Sequence, residues 1–99
     1  MSRFLFGQYV ESDLREIRDY IAQESPESAR RLMVRFVEAF RLLAKRPELG
    51  HAREDLTVRS LRFWPVGSYL VVYVAGKPIE IVAVVHGARD VPSVVNRRL

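Results

Sequence analysis

The second half of the chain contains three β-rich segments whose connections are too short to cross over a sheet. Thr57–Val66, Tyr69–Val74 and Ile79–His86 are rich in Val, Ile, Tyr, Phe and Trp, the residues favoured in strands. Two residues separate the first and second segments, and four separate the second and third. A parallel crossover needs about a dozen residues or more. The three segments must therefore pair as an antiparallel meander.

The first half shows helical periodicity instead. Its apolar residues recur at the spacing of one helix face, at Val10, Leu14, Ile17 and Ile21. This pattern predicts an amphipathic helix over residues 10–23. Ser25 as N-cap and Pro26 at the first helical position predict the start of a second helix, which runs to about Arg46 and is stopped by Pro47. Because only a few residues separate the two helices, they must form an antiparallel hairpin.

Two shorter elements complete the predicted order. Phe4–Val10 is an apolar stretch typical of a strand, and Val91–Val95 follows Asp90 as a short helix with Pro92 in its first turn. The order β-α-α-β-β-β with a short C-terminal helix predicts an α+β fold, a helical hairpin packed on an antiparallel sheet. A chain of 99 residues is expected to form a single domain over 1–99. The middle strand Tyr69–Val74 lacks polar alternation, as expected when both faces are covered.

The composition excludes several kinds of site. No cysteine occurs, which excludes disulfides and thiolate metal sites, and the two histidines, His51 and His86, are too few for a histidine-only zinc site. We expect neither a metal nor a cofactor. No apolar run approaches the ~20 residues of a membrane span, and the N-terminus is too short and too interrupted by polar residues for a signal peptide. The sequence therefore indicates a cytoplasmic protein without a membrane partner.

The positive charge is concentrated in arginine and in the C-terminal half. The formal net charge is +4, and 14 of the 16 basic residues are arginine. Residues 51–99 hold seven basic and four acidic residues, whereas residues 1–50 hold nine and eight. This balance suits an acidic protein partner or a nucleic acid equally well. Acidic residues scattered over the first helix, and the lack of a nucleic-acid-binding fingerprint, count against direct binding of DNA.

Four stretches, in order and over nearly the whole length, carry a resemblance to a known family. They are Asp13–Ala22; Ser25-Pro26 with Ala29, continued by Leu43–Gly50; Leu61-Arg62 followed by Pro65–Tyr73; and Val85–Asp90. The chain resembles the RelE/ParE superfamily of toxins from bacterial type II toxin–antitoxin modules, and is most similar to its ParE-like branch. The resemblance implies a βααβββ fold, a cytoplasmic bacterial setting, and a small ParD-like antitoxin that wraps the toxin in a hetero-oligomer.

The resemblance leaves two activities open. RelE-like members are ribonucleases that cut messenger RNA on the ribosome, whereas ParE-like members inhibit DNA gyrase by binding. RelE-like enzymes typically place a phosphate-binding arginine after the first tyrosine of the middle strand, where this chain has Leu70. The segment after Arg89 also lacks a Tyr or His to serve as acid. We therefore expect a gyrase-binding protein with no catalytic residues rather than an enzyme. The alternative ribonuclease site consists of Arg62, His86 and Arg89.

The residues of that alternative have simpler interpretations. His86 is the candidate acid or base with a pKa near neutrality, but a histidine at a strand end can equally hydrogen-bond the nearby backbone. Arg89 can equally form an ion pair or a turn with Asp90. The sequence alone does not separate these readings.

The second helix has an apolar face about 160° wide at ~100° per residue. A face of this width can pack entirely within the chain, against both the sheet and the first helix. Alternatively, part of it stays exposed and binds another protein. On the second reading, the antitoxin-binding residues are Tyr20, Phe36 and Phe40 on the hairpin, with Arg59 and Arg62 on the sheet.

The C-terminus supplies the predicted contact with the target. Val94 and Val95 form a short apolar segment, and Arg97 and Arg98 follow it. This arrangement suits an acidic enzyme surface or the DNA held by that enzyme. The alternative is a frayed tail, since terminal residues are usually poorly ordered.

Overall fold

The computed structural model describes residues 3–53 and 60–99. Its elements, in chain order, are β1 (Phe4–Phe6), α1 (Val10–Ala22), α2 (Pro26–Lys45), a 3₁₀ turn (Pro47–Leu49), β2 (Arg62–Val66), β3 (Tyr69–Val74), β4 (Ile79–His86) and α3 (Val91–Arg98). The predicted α+β fold, with its helical hairpin, strands and C-terminal helix, is confirmed. No helix of the described ranges is long and apolar enough to cross a membrane.

The four strands form one sheet in the order β1-β4-β3-β2. β2, β3 and β4 pair as the predicted antiparallel meander. β1 pairs in parallel with β4, with Phe4 opposite Ile79 and Phe6 opposite Ile81. The connection between this parallel pair runs through the helical hairpin, β2 and β3, and is longer than the dozen or so residues that parallel pairing requires. The sequence did not indicate this pairing, because nothing local to β1 specifies its partner.

Three element bounds differ from the predictions by more than one residue. β1 ends at Phe6 rather than Val10, because residues 8 and 9 form a turn, in which the Val10 N–H donates to Gly7 O at 3.3 Å, and α1 begins at Val10. α3 extends past Val95 to Arg98. The first predicted strand of the meander begins at Arg62 within the described residues, and Thr57 to Arg59 lie outside them.

Two helical layers cover the two faces of the sheet. On one face the hairpin packs a core that includes Phe36, Phe40 and Val71. On the other, α3 packs Val94 and Val95 against Val72, Val85 and their neighbours. β3 is covered on both faces, which explains its lack of polar alternation.

Side-chain caps start two of the helices. The Ser25 hydroxyl accepts a hydrogen bond from the Ser28 N–H at 3.1 Å, with Pro26 in the first turn of α2, as the sequence predicted. The Asp90 carboxylate accepts from the Ser93 N–H at 3.3 Å and begins α3 in the same way. Each cap satisfies one of the N–H groups that a helix start leaves unpaired.

The loop after α2 is tied to the sheet by a group that we call the Tyr73 clamp: Pro47, Gly50, Arg62 and Tyr73. The Tyr73 hydroxyl donates to Pro47 O at 2.6 Å and accepts from the Gly50 N–H at 2.8 Å. Arg62 donates to Gly50 O at 2.7 Å. A Cβ at Gly50 would overlap the Tyr73 ring, so this position requires glycine. Burial raises the pKa of the Tyr73 phenol.

A bulge changes the faces of β4. Strict alternation predicts that Glu80, Val82, Val84 and His86 share one face. The pairing with β3 shifts register between Val72 and Tyr73, and Val82 lies in the α3-side core while Val84 lies in the hairpin-side core. The parity prediction is therefore wrong at Val82, because an inserted residue reverses the alternation on either side of it.

Candidate functional site: a groove between the first and last helices

An open groove of about 1000 Å³ lies between α1 and α3, over the end of β4; we call it the α1–α3 groove. Both helices pack on β4, one from each face of the sheet. The groove exists because β1 has three residues and β4 has eight. Beyond Ile81, β4 therefore has no β1 residue beside it. The side chains that characterise the groove are Tyr9, Tyr20, Tyr69, His86, Arg89 and Arg97.

An ion pair stands where β1 would have continued. Asp13 of α1 is only 8% exposed, and its carboxylate accepts from the Val84 N–H at 3.0 Å. The Arg98 guanidinium of α3 donates to both oxygens of that carboxylate, each at 2.6 Å, and to Val82 O at 3.3 Å. We call this the Asp13–Arg98 bridge. It satisfies edge groups of β4 that a strand would otherwise bind, and it joins the two helical layers around the edge of the sheet.

The bridge is electrostatically favourable for Arg98. The hydrogen bond to Asp13 raises the pKa of Arg98, and burial opposes that shift. The guanidinium also lies over the Tyr9 ring, 5.0 Å from its centroid, which is a cation–π distance. Arg98 is thus held by the Asp13 carboxylate, the Val82 carbonyl and the Tyr9 ring.

One wall of the groove is aromatic. Tyr69 and His86 are directly opposed across β3 and β4, and their rings meet edge to face with centroids 5.1 Å apart. Tyr20 of α1 is 69% exposed. Burial raises the pKa of the Tyr69 phenol, and Tyr20 raises it further. This wall presents the exposed ring of Tyr20, whereas Tyr69 is 9% exposed and packs in the core between hairpin and sheet.

His86 bonds to its own turn. Its Nδ1 accepts from the Ala88 N–H at 3.0 Å. An acceptor at Nδ1 means that the neutral ring carries its proton on Nε2. In this state Nε2 is a hydrogen-bond donor, and Nδ1 already accepts from the Ala88 N–H.

The opposite wall carries positive charge. Arg89 and Arg97 are not ion-paired with any acidic side chain of residues 3–53 and 60–99. Asp90 caps α3 and is not paired with Arg89. Asp13 is neutralised by Arg98, which leaves Glu16 as the other acidic group lining the groove. The same ranges contain no cluster of three or more His, Asp or Glu residues that would hold a metal ion.

The structure separates the residues of the alternative ribonuclease site. Arg62 is opposite Tyr73, whereas His86 is opposite Tyr69. Tyr73 is four positions along β3 from Tyr69, which corresponds to about 13 Å along the strand. Arg62 is also engaged in the Tyr73 clamp. His86 and Arg89 both line the groove.

The predicted antitoxin-binding residues fall into different places. Tyr20 is exposed in the groove, whereas Phe36 and Phe40 are fully buried in the core between hairpin and sheet. Arg62 donates to backbone carbonyls of the loop after α2. Arg59 lies outside the described residues. In this fold the two phenylalanines present no surface to a partner.

The predicted target-binding residues are also divided. Val94 and Val95 are 7% and 0% exposed and belong to the core under α3. Arg98 forms the bridge with Asp13. Arg97 is the exposed member of the set and lines the groove. The C-terminal segment is thus a packed helix in which one of the four residues faces solvent.

Sequence reasoning missed Tyr9, Tyr69 and Asp13 of the groove, and of these Asp13 forms the bridge. A signal was present: it lies three residues after Val10 and four before Ile17, on the apolar face of α1. A carboxylate on such a face needs a partner. The sequence does not say that the partner comes from a helix 85 positions away.

The comparisons with known proteins agree with this architecture. Residues 4–91 match the family of ParE toxins of the type II toxin–antitoxin system parDE. This chain belongs to the ParE toxin family. It is thus a toxin of a type II toxin–antitoxin system, a class of protein that has an antitoxin as partner.

Two relatives add detail to the family assignment. Toxin RelE2 of Caulobacter vibrioides is 40% identical over 79 residues, which cover 79% of this chain and 86% of that protein. A solved structure of the chromosomal ParDE toxin–antitoxin system from P. aeruginosa is 22% identical, covers 87% of this chain and 96% of that one, and has a TM-score of 0.71. This second likeness shows a shared fold. The RelE/ParE resemblance seen in the sequence is confirmed.

Proposed function

We propose that this ParE-family toxin acts by binding rather than by catalysis, and that its target in the cytoplasm is DNA gyrase. The observation that carries the proposal is the separation of Arg62 from His86 at opposite ends of the sheet. Cleavage of RNA by its 2′-hydroxyl needs a base, an acid and cations that converge on one phosphate. Arg62 is held in the Tyr73 clamp, so it is not available to a phosphate beside His86.

The chemistry of the groove agrees with recognition. The Nδ1 of His86 already accepts from the backbone, and Leu70 packs into the core under α3. What the groove offers a partner is tyrosine surface and two arginines, Arg89 and Arg97, which suit docking on an acidic surface. Of the predicted target-binding residues, Arg97 is the one that this surface makes available.

A supercoiling assay tests the proposal. Purified toxin, freed of antitoxin, is expected to inhibit gyrase supercoiling at micromolar concentration, to leave cleaved DNA complexes, and to lose its effect when antitoxin is added. We expect Arg97→Glu to weaken inhibition at least tenfold, because it reverses the exposed charge. Arg41→Glu, the same change at an exposed position of α2, serves as the matched control. Unchanged supercoiling with toxin that still binds antitoxin contradicts the gyrase assignment.

Removal of residues 94–99 is not a suitable variant. That deletion removes Val94 and Val95 from the core and Arg98 from the bridge. Any loss of inhibition would then report a loss of folding.

A second candidate function is ribosome-dependent cleavage of messenger RNA. It is favoured by the name of the 40% identical relative, toxin RelE2, and by the proximity of His86 and Arg89 in the groove. The test is a translation reaction with intact ribosomes. Site-specific cleavage that His86→Ala abolishes, and that His51→Ala at the other, exposed histidine leaves intact, would replace the gyrase proposal with this one.

A further inference from the structure

One end of the sheet is open at β1. In the part of the chain that the structure describes, β1 stands last in the strand order and has β4 as its neighbour. At the other end, His51 exchanges two backbone hydrogen bonds with Phe63 and covers part of the edge of β2. Within the same described residues nothing pairs with the outer edge of β1, and an open edge is a template for another strand.

The pairing with β4 shows which backbone groups of β1 point outward. Successive residues of a strand direct their N–H and C=O groups alternately toward one neighbour and the other. The Gly7 N–H donates to Ile81 O of β4 at 2.7 Å, so the backbone groups of Leu5, two residues earlier, also face β4. The N–H and C=O groups of Phe4 and Phe6 therefore point away from the sheet.

The side chains of β1 are apolar on both faces. The Phe4 and Phe6 rings lie on the hairpin face, each with its centroid 5.5 Å from that of Phe40. Leu5 alternates to the opposite face. Leu5 is 54% exposed and Phe6 is 40% exposed. No residue of β1 is charged, although charged side chains are a common protection of strand edges.

We propose that two copies of this chain pair antiparallel through β1, with a two-fold axis at Leu5, and join their four-stranded sheets into one continuous sheet. In this register Phe4 of each copy is opposite Phe6 of the other. Each of these pairs exchanges both of its N–H···O=C hydrogen bonds, because these are the residues whose backbone groups point outward. Leu5 meets Leu5 at the axis. The inference depends neither on the target of the toxin nor on its antitoxin.

Charges beside β1 complement each other across the same axis. Glu80 is opposite Leu5 on β4, and a Cβ at Gly7 would lie 3.5 Å from Glu80 Oε2, so the carboxylate is beside Gly7. In the proposed register Arg3 of one copy is opposite Gly7 of the other, on the face that carries Glu80. Within the described residues neither Arg3 nor Glu80 forms an ion pair. Arg3 of each copy therefore pairs with Glu80 of the other.

Symmetry favours a second copy as the occupant of this edge. A two-fold interface must be self-complementary, and here the axis brings Leu5 against Leu5 and, on either side of it, Arg3 against Glu80. A nucleic acid would meet an apolar strand beside Glu80, whose carboxylate repels phosphate. A strand of another protein would use the same backbone groups without this match of charges.

Sedimentation equilibrium of the purified toxin, freed of antitoxin, is the first test. Because β1 is short and small interfaces are typically transient, we expect monomer at about 1 μM and dimer at about 100 μM. Leu5→Lys is expected to weaken the dimer at least tenfold, since it places like charges directly opposite each other. Leu42→Lys, the same change at an exposed leucine of α2, is expected to leave it within twofold.

Circular dichroism confirms that both variants are folded. A toxin that stays monomeric at about 100 μM, or a dimer that folded Leu5→Lys does not weaken, overturns the proposal.

Charge exchange tests the register. Glu80→Arg and Arg3→Glu are each expected to weaken the dimer at least threefold, because each turns an attraction between the copies into a repulsion. The double variant restores both pairs with their signs exchanged, and its dimer is expected to match the parent's within twofold. A folded double variant whose dimer is no stronger than those of the single variants overturns the pairing centred on Leu5.

Amide hydrogen exchange read by NMR identifies the occupant. At about 100 μM, we expect the Phe6 amide of the parent to exchange at least threefold more slowly than that of Leu5→Lys. The Gly7 amide, bonded to Ile81 O within one copy, is the internal reference and is expected to change much less. Protection of the Phe6 amide that appears only when antitoxin is added assigns this edge to the antitoxin and overturns the proposal.

Discussion

The Tyr73 clamp and the Asp13–Arg98 bridge fasten two different parts of the sheet by different chemistry. The clamp ties the loop after α2 to β2 and β3 through neutral groups of Tyr73 and the loop backbone, with Arg62 at its rim. The bridge ties α1, β4 and α3 together through one ion pair. In the clamp, the Tyr73 hydroxyl and the loop backbone bond to each other inside the protein. The bridge instead lines an open groove. The ion pair holds α1 and α3 beside β4, and the backbone of β4 beyond Val84 has no neighbouring strand on that side.

The largest effect is expected at the bridge. Asp13→Ala removes the partner of a largely buried arginine and leaves the Val84 N–H without its acceptor. Breaking such a pair from one side costs about 3–5 kcal/mol. We expect the free energy of unfolding in urea to fall by about 3 kcal/mol or more.

Asp19→Ala is the matched control for that experiment. Asp19 pairs with Arg18 on the exposed side of α1, where both side chains are more than half exposed. Exposed pairs contribute about 0–1 kcal/mol. If Asp13→Ala is no more destabilising than Asp19→Ala, the bridge does not hold the two helical layers.

The clamp is expected to contribute less. Tyr73→Phe keeps the ring but removes both hydrogen bonds of the hydroxyl, so Pro47 O and the Gly50 N–H lose their partner. Leaving buried polar groups unsatisfied costs about 1–3 kcal/mol. We expect a loss of about 2 kcal/mol in the free energy of unfolding. A loss equal to that of Asp13→Ala would mean that the two fastenings do not differ in strength.

Alkaline pH tests the clamp without substitution and is expected to have the smallest effect. Burial raises the pKa of Tyr73, so the folded state keeps this proton at a pH where the unfolded state has lost it. The stabilisation is complete below the ordinary tyrosine pKa of about 10 and is lost as pH rises through the raised pKa. We expect the free energy of unfolding to decline above about pH 10, and to decline less steeply in Tyr73→Phe. Equal slopes in the parent and the variant would contradict this assignment.

Local patterns were sufficient for most of the fold. Helix periodicity, the cap at Ser25 and the two short connections of the meander each act over a few residues, and all three were predicted correctly. For the site, the sequence singled out Tyr20, His86, Arg89 and Arg97, because exposed aromatic and cationic residues are recognisable by type. From the sequence, Tyr20 was assigned to the antitoxin, His86 and Arg89 to the alternative ribonuclease site, and Arg97 to the target. Nothing in the local sequence shows that these residues line one groove.

The sequence by itself determined the order of elements, the hairpin connections and the ParE family, because these depend on residue type and near spacing. Only the tertiary structure decided that Phe36 and Phe40 are core, that the β4 bulge reverses alternation at Val82, and that Asp13 binds Arg98. The physical reason is the same in each case. Burial, register and ion pairing are set by contacts between segments far apart in the chain, and a carboxylate on an apolar helix face specifies only that it needs a partner.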